Sequence, residues 1–185
     1  YEISVRDWSS DVCSSDLLTS NCRNLPRIGR AAETIASMQP GYRRFRRTDD
    51  GTMPRYVWYT HPEQQEPLLV GVVRDFLGEG FRAEDIAILS PRSSGSTAAR
   101  CEEPWLRNML VAADGTPPPR GRIRHSTIHS FKGLEAPAII LTDIDDVAAP
   151  EFEALLYVGL TRPTERLTVL ATKAALGGKI IDAGR

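Results

Sequence analysis

Three short stretches hold the side chains with chemistry to offer. The first, Thr127 to Ala136, reads TIHSFKGLEA. Lys132-Gly133 lets the backbone approach a ligand closely or take a positive φ. Glu135 can accept a hydrogen bond from a sugar hydroxyl, and Thr127 and His129 can donate to a phosphate oxygen. The second, LLYVGLTRPTERL at 155–167, places Arg162 after Leu155, Leu156, Val158 and Gly159, which suit a packed helix. A guanidinium at a helix end facing a cleft can stabilise charge on a transferring phosphoryl group. It could equally pair with Glu165 or Glu151. The third, LLTSNCRNL at 17–25, leads through Asn21 and Arg23 into a helix start. Helix starts favour anions, and Arg23 adds a phosphate-directed charge; capping alone would also account for the pattern.

Apolar strands must position these groups. The runs Arg55–Tyr59, Asp85–Leu89, Ile123–Ile128, Ala138–Thr142 and Arg166–Ala171 read as strands. Helical spacing begins near Leu25, with Asn24 as N-cap, Pro26 early in the helix, and a stripe of Ile28, Ala31, Ala32, Ile35 and Met38 ended by Pro40-Gly41. Glu63–Leu77 is amphipathic. Glu151–Thr161 is a third helix, and Ala98–Ala112 a weaker one. The arginine-rich 41–54 segment reads as a solvated loop or a hairpin, and the proline-rich Gly115–Arg122 stretch as a loop. Alternating strands and helices predict an α/β fold, a parallel sheet flanked by helices on both faces. TIHSFKGLEA follows a strand and is therefore expected at the carboxyl edge of that sheet, where open α/β sheets bind ligands.

Composition sets outer bounds. The chain has 185 residues, 41% of them apolar and 25% charged, which suits one ordinary core. No apolar run approaches the ~20 residues of a membrane span, and no basic region precedes an apolar core at the start. The net charge is -1, so no global basic footprint is present. Lys132, Lys173 and Lys179 are the only lysines; the other basic residues are arginines, which recognise phosphate bidentately, although codon bias would yield the same count. Cys13, Cys22 and Cys101 form no metal-binding pattern with the histidines, as expected of a reduced, cytoplasmic chain with no metal site. Residues 1–17 are serine-rich and aperiodic. They resemble a translated sequencing adapter, or else form a disordered arm; the domain is expected to cover 18–185.

In chain order, LLTSNCRNL, the TIHSFKGLEA stretch with its flanking strands (IRHSTIHSFKGLEAPAIILTDI) and LLYVGLTRPTERL resemble motifs IV, V and VI of the C-terminal motor domain of UvrD/Rep-type superfamily 1 DNA helicases. The resemblance covers about residues 17–172. It implies a RecA-like domain that works against an N-terminal RecA-like motor domain holding ATP and Mg2+. It further implies that Arg23 and Arg162 reach the γ-phosphate, that Gly133 and Glu135 contact the nucleotide (Glu135 through the ribose), and that Thr127 and His129 touch single-stranded DNA.

Several positions depart from the family pattern. Pro163 follows the motif VI arginine, where alanine is common, and proline disfavours the α conformation in the residue before it. Ala136 and Cys22 stand where aromatics are usual. About thirty residues separate Pro91 from Ile123, where larger relatives carry an accessory domain, so the chain resembles a compact member. The 185 residues contain no GxxxxGK[ST] loop, so ATP hydrolysis by this chain alone is not expected. Asp143, Asp145 and Asp146 imitate a strand-borne magnesium site, but follow motif V. Two other readings remain at this point: a stand-alone nucleic-acid-binding module using the arginines at 43, 44, 46, 47, 120, 122 and 124, and a degenerate ATPase scaffold.

Overall fold

The computed structural model describes residues 20–38, 41–145 and 150–183; the 1–17 segment, Pro40 and Asp146 lie outside them. In chain order the elements are β1 (Ser20–Asn21), α1 (Pro26–Ile35), β2 (Arg44–Phe45), β3 (Arg55–Tyr59), α2 (Gln65–Gly78), β4 (Ile86–Ser90), α3 (Pro104–Met109), β5 (Leu110–Ala112), β6 (Ile123–Thr127), β7 (Ala136–Ile144), α4 (Pro150–Leu160), β8 (Pro163–Thr172) and α5 (Lys173–Ala183). Six strands form one sheet in the order β3-β8-β7-β4-β6-β5, and every pairing in it is parallel.

Strand alternation sorts the core into two halves. Ile86 and Ile88 of β4 and Ala138 and Ile140 of β7 pack against α2 through Leu69, Val72, Val73 and Phe76, with Leu106 of α3 beside them. Ala87, Leu89, Ile139 and Leu141 face the other way, toward Ile28 and Ile35 of α1, Leu156 and Leu160 of α4 and Leu176 of α5. Helices therefore cover both faces, and the central strands read as unbroken apolar runs because neither side meets water.

Several elements differ from the sequence expectation, each for a physical reason. Asn24 does not cap α1. Leu25 precedes the helix without a side-chain cap, while Asn24 Nδ2 donates to Thr161 O at 3.2 Å and Pro163 O at 2.7 Å. Those buried carbonyls outbid a helix end that Pro26 already relieves of one donor. The helix also stops early, at Ile35, with Ser37 at φ 51°. The arginine-rich stretch is no hairpin. Arg44 and Phe45 pair in parallel with Ser20 and Asn21. Gly29 admits this, since a Cβ there would lie 2.3 Å from Phe45 Cε1. The weak helix expected over 98–112 shrinks to α3, because Pro104 can only begin a helix and Leu110–Ala112 gain a ladder with Ile123–His125. Helix α5 was not legible; Gly177-Gly178 argue against it, and burial of Ala175 and Leu176 overrides them.

His125 sits on β6 level with Ile88, on the α2/α3 face. Burial holds its imidazole below the ordinary value of 6.5. The unfolded chain therefore takes up a proton below that pH while the folded chain resists, so stability is lost as pH falls through and below it. A His125→Phe variant is expected to show a flatter acid limb. Urea midpoints above and below the imidazole value measure this, and an unchanged limb would remove His125 as its source.

Candidate functional site

The TIHSFKGLEA stretch does not sit wholly at the carboxyl edge. Thr127 ends β6 level with Ser90, and Leu89 is level with Leu141, so Thr127 lies near the carboxyl end of the sheet. Ala136 is level with Pro163, the first residue of β8, so Glu135 lies at the amino end. The eight residues Ile128–Glu135 thus cross the sheet from rim to rim, roughly 20 Å at ~3.3 Å per strand residue. A crossover this short has no room for the usual helix. It is built from successive turns, with Phe131 N donating to Thr127 O, Lys132 N to His129 O and Leu134 N to Phe131 O. Ile128 and Phe131 anchor it in the α1/α4/α5 core, both fully buried. Gly159 of α4 completes the fit; a Cβ there would lie 3.1 Å from Leu141 Cδ2 and 3.2 Å from Ile128 Cδ1.

Arg23, Glu135 and Arg162 converge at the amino rim. Arg23 Nε lies 2.8 Å from Glu135 Oε2, with both side chains open to solvent. The Arg23 loop is tied down from beneath. Asn21 Oδ1 accepts from the backbone N–H groups of Arg23 and Asn24, Asn21 Nδ2 donates to Asn24 Oδ1, and Asn24 reaches across to the α4–β8 junction. Arg47 donates to the carbonyls of Arg23 and Thr164. The Asn-x-x-Asn spacing before a proline-started helix was the available signal for this clamp; Arg47 left none.

Arg162 follows the end of α4. Its Nε donates to Val158 O at 2.9 Å, Nη1 to Leu134 O at 3.3 Å and Nη2 to Thr161 Oγ1 at 3.1 Å. It pairs with neither Glu165 nor any other carboxylate among the described residues; Glu151's side chain lies outside them. Burial, then repulsion from Arg23, pulls its pKa below the usual arginine range. Pro163 takes the first position of β8, where the backbone N–H of Ala136 donates to Arg162 O at 3.3 Å. The hydroxyls of Tyr42 and Tyr157 meet nearby, and burial followed by their mutual hydrogen bond raises the pKa of Tyr42.

Gly133 has φ +90°, and nothing lies within 4 Å of a Cβ built there. A Gly133→Ala substitution therefore meets backbone strain without a clash. It is expected to cost about 1 kcal/mol or more, read as a lower denaturant midpoint at constant slope in the 185-residue chain. An unchanged midpoint would show that this turn relaxes freely.

At the carboxyl rim, Thr127 Oγ1 is engaged with Ser130, donating to its Oγ and accepting from its N–H, and His129 is exposed. Of the aspartates that imitate a magnesium site, Asp143 and Asp145 are engaged within the fold. Buried Asp143 accepts from Thr97 N, Thr97 Oγ1 at 2.7 Å and Thr142 Oγ1 at 2.9 Å, with Arg92 Nη1 at 3.6 Å. Asp145 binds Arg92 and Tyr59 OH. Among the described residues no group of three or more His, Cys, Asp or Glu is placed to hold a metal ion. Nor is any described helix long and apolar enough to cross a membrane. The arginines offered for a nucleic-acid surface are partly spent: Arg47, Arg122 and Arg124 each donate to backbone carbonyls.

The structure is thus a parallel α/β sheet with two guanidiniums and a carboxylate gathered at one rim, groups able to bind a polyanion. Residues 122–170 match the family model described as the UvrD-like helicase C-terminal domain, a span that includes every candidate residue except Arg23. The fold is similar to the crystal structure of the C-terminal domain of a possible DNA helicase from Lactobacillus plantarum WCFS1, with TM-score 0.60 and 16% identity over 82% of this chain and 87% of that one. No curated protein matches the chain. In sequence over residues 122–170, and in fold over most of its length, the chain is similar to UvrD-like helicase C-terminal domains.

Proposed function

We propose that residues 18–185 form the second RecA-like motor domain of an ATP-dependent DNA helicase or translocase. Arg162 and Arg23 meet the γ-phosphate of ATP held, with its Mg2+, by an N-terminal motor domain carrying the lysine-bearing phosphate loop. Glu135 accepts from the ribose, and the open backbone at Gly133 lets the nucleotide approach. Thr127 and His129 contact the single-stranded DNA backbone at the opposite rim. This domain supplies fixed positive charge to the transferring phosphoryl group as the two domains close. The free thiols of Cys22 and Cys101 suit a cytoplasmic setting.

One observation carries the reading: Arg23, Glu135 and Arg162, far apart in sequence, lie within one cluster of contacts on the Leu134–Glu135 peptide and its neighbours. Phosphate release by the complete enzyme, with and without single-stranded DNA, tests it. Hydrolysis stimulated by the strand is the expected result. A complete enzyme that never hydrolyses ATP, or ignores the strand, would end the motor interpretation.

A further inference from the structure

Arg124 has no role in the reading above, yet its surroundings are costly. It lies on β6 beside Ile123, whose side chain belongs to the α2/α3 core, so strand alternation turns Arg124 to the opposite face. There its guanidinium carbon stands 4.8 Å from the Phe131 ring centroid. Nη2 donates to Glu135 O at 2.9 Å. Nε is buried with no hydrogen-bond partner. Among the described residues no carboxylate pairs with it. Burial depresses its pKa, as expected of a cation withdrawn from water without compensation. An apolar side chain of similar length would cover Phe131 without that penalty. Stability therefore does not explain an arginine at this position.

Its contacts do. Phe131 is the middle of the rim-to-rim crossover and Glu135 is its end. Arg162 grips the carbonyl of Leu134 from the helix side, and Arg124 grips the next carbonyl, that of Glu135, from the sheet side. The peptide bearing the Glu135 side chain is thus held between two guanidiniums fixed to different elements. We propose that Arg124 is a positioning residue: it sets where the crossover re-enters the sheet, and so where the Glu135 carboxylate stands when the nucleotide sugar arrives. This rests on the motor reading given above.

The test uses the complete enzyme with single-stranded DNA at saturation. Arg124→Met keeps an unbranched stem over Phe131 but removes charge and donors. Arg124→Lys keeps the charge and one donor. Glu135→Gln removes the group Arg124 acts through. Arg124→Met is expected to raise the KM for ATP about tenfold, the effect of losing one well-placed charged hydrogen bond, with kcat within about twofold. Arg124→Lys should recover part of that loss. In the double variant with Glu135→Gln the two KM effects should not add, because one route carries both. An unchanged KM, or additive effects, overturns the proposal while leaving the motor reading intact. A wild-type enzyme without DNA-stimulated hydrolysis overturns both. Should Arg124→Met unfold, seen by thermal melting, the cycle of Arg124→Lys with Glu135→Gln decides the matter on the same criterion.

Discussion

Arg162→Ala in the complete enzyme is expected to lower DNA-stimulated ATP hydrolysis by roughly a thousandfold or more, as removal of an arginine finger does elsewhere, while the domain stays folded. The two halves of that expectation come from different contacts. Among the described residues the side chain donates to Val158 O, Leu134 O and Thr161 Oγ1 alone. Its structural share is therefore three hydrogen bonds from a charged donor to neutral acceptors, at about 1.5 kcal/mol each. Its catalytic share, on the proposed motor reading, comes from a half-buried guanidinium that is not quenched by a carboxylate among the described residues. Arg162→Lys should not restore turnover, since an ammonium cannot span those three acceptors and still present a planar fork. Steady-state phosphate release, alongside thermal melting of the 185-residue chain bearing the same change, separates the two shares. Near-normal turnover in Arg162→Ala would remove this residue from the chemistry.

The second large effect is on stability. Asp143→Ala is expected to destabilise the chain by roughly 3–5 kcal/mol, the cost of breaking a buried charged network, or about 10 °C in Tm for a chain of this size. Asp143 is 2% exposed and sits at φ 61° between the central strand and the loop that follows β4. Its loss would strand Thr97 N–H, the Thr97 and Thr142 hydroxyls and part of the Arg92 guanidinium. Alanine would also have to hold a left-handed backbone, which aspartate and asparagine tolerate better. Asp143→Asn should therefore be the milder change. A chelator should leave the Tm of the parent chain unmoved if these carboxylates serve the fold alone. A parent Tm that rises with added Mg2+ and falls with chelator would instead reinstate a metal at this rim.

Much of the α/β architecture was legible because its signals are local. Apolar strand runs identified β3, β4, β6, β7 and β8, with β3 at its exact bounds. Helical spacing located α1, α2 and α4. The elements that escaped are those stabilised from a distance. β2 exists because β1 offers a parallel partner, β5 because β6 does, and α5 because α1 and β8 leave apolar surface to cover. A two-residue strand carries no period, and a Gly-Gly pair inside a helix reads as a break until burial is known.

The candidate site divides the same way. Residue types and their order, Thr127, His129, Gly133, Glu135, Arg162 and Arg23, were readable from the chain alone, because hydrogen-bonding capacity and charge belong to the side chain wherever it goes. Which rim each would occupy was not. The expectation of a single carboxyl-edge loop failed because a strand's direction is local, whereas the level at which the chain re-enters the sheet depends on which neighbours pair with it. Only the tertiary structure could decide that eight residues traverse the sheet, that Asn24 serves two distant carbonyls, and that Arg124 closes on Glu135. Those outcomes depend on which buried polar groups compete for one another, and that competition begins only once the core has closed.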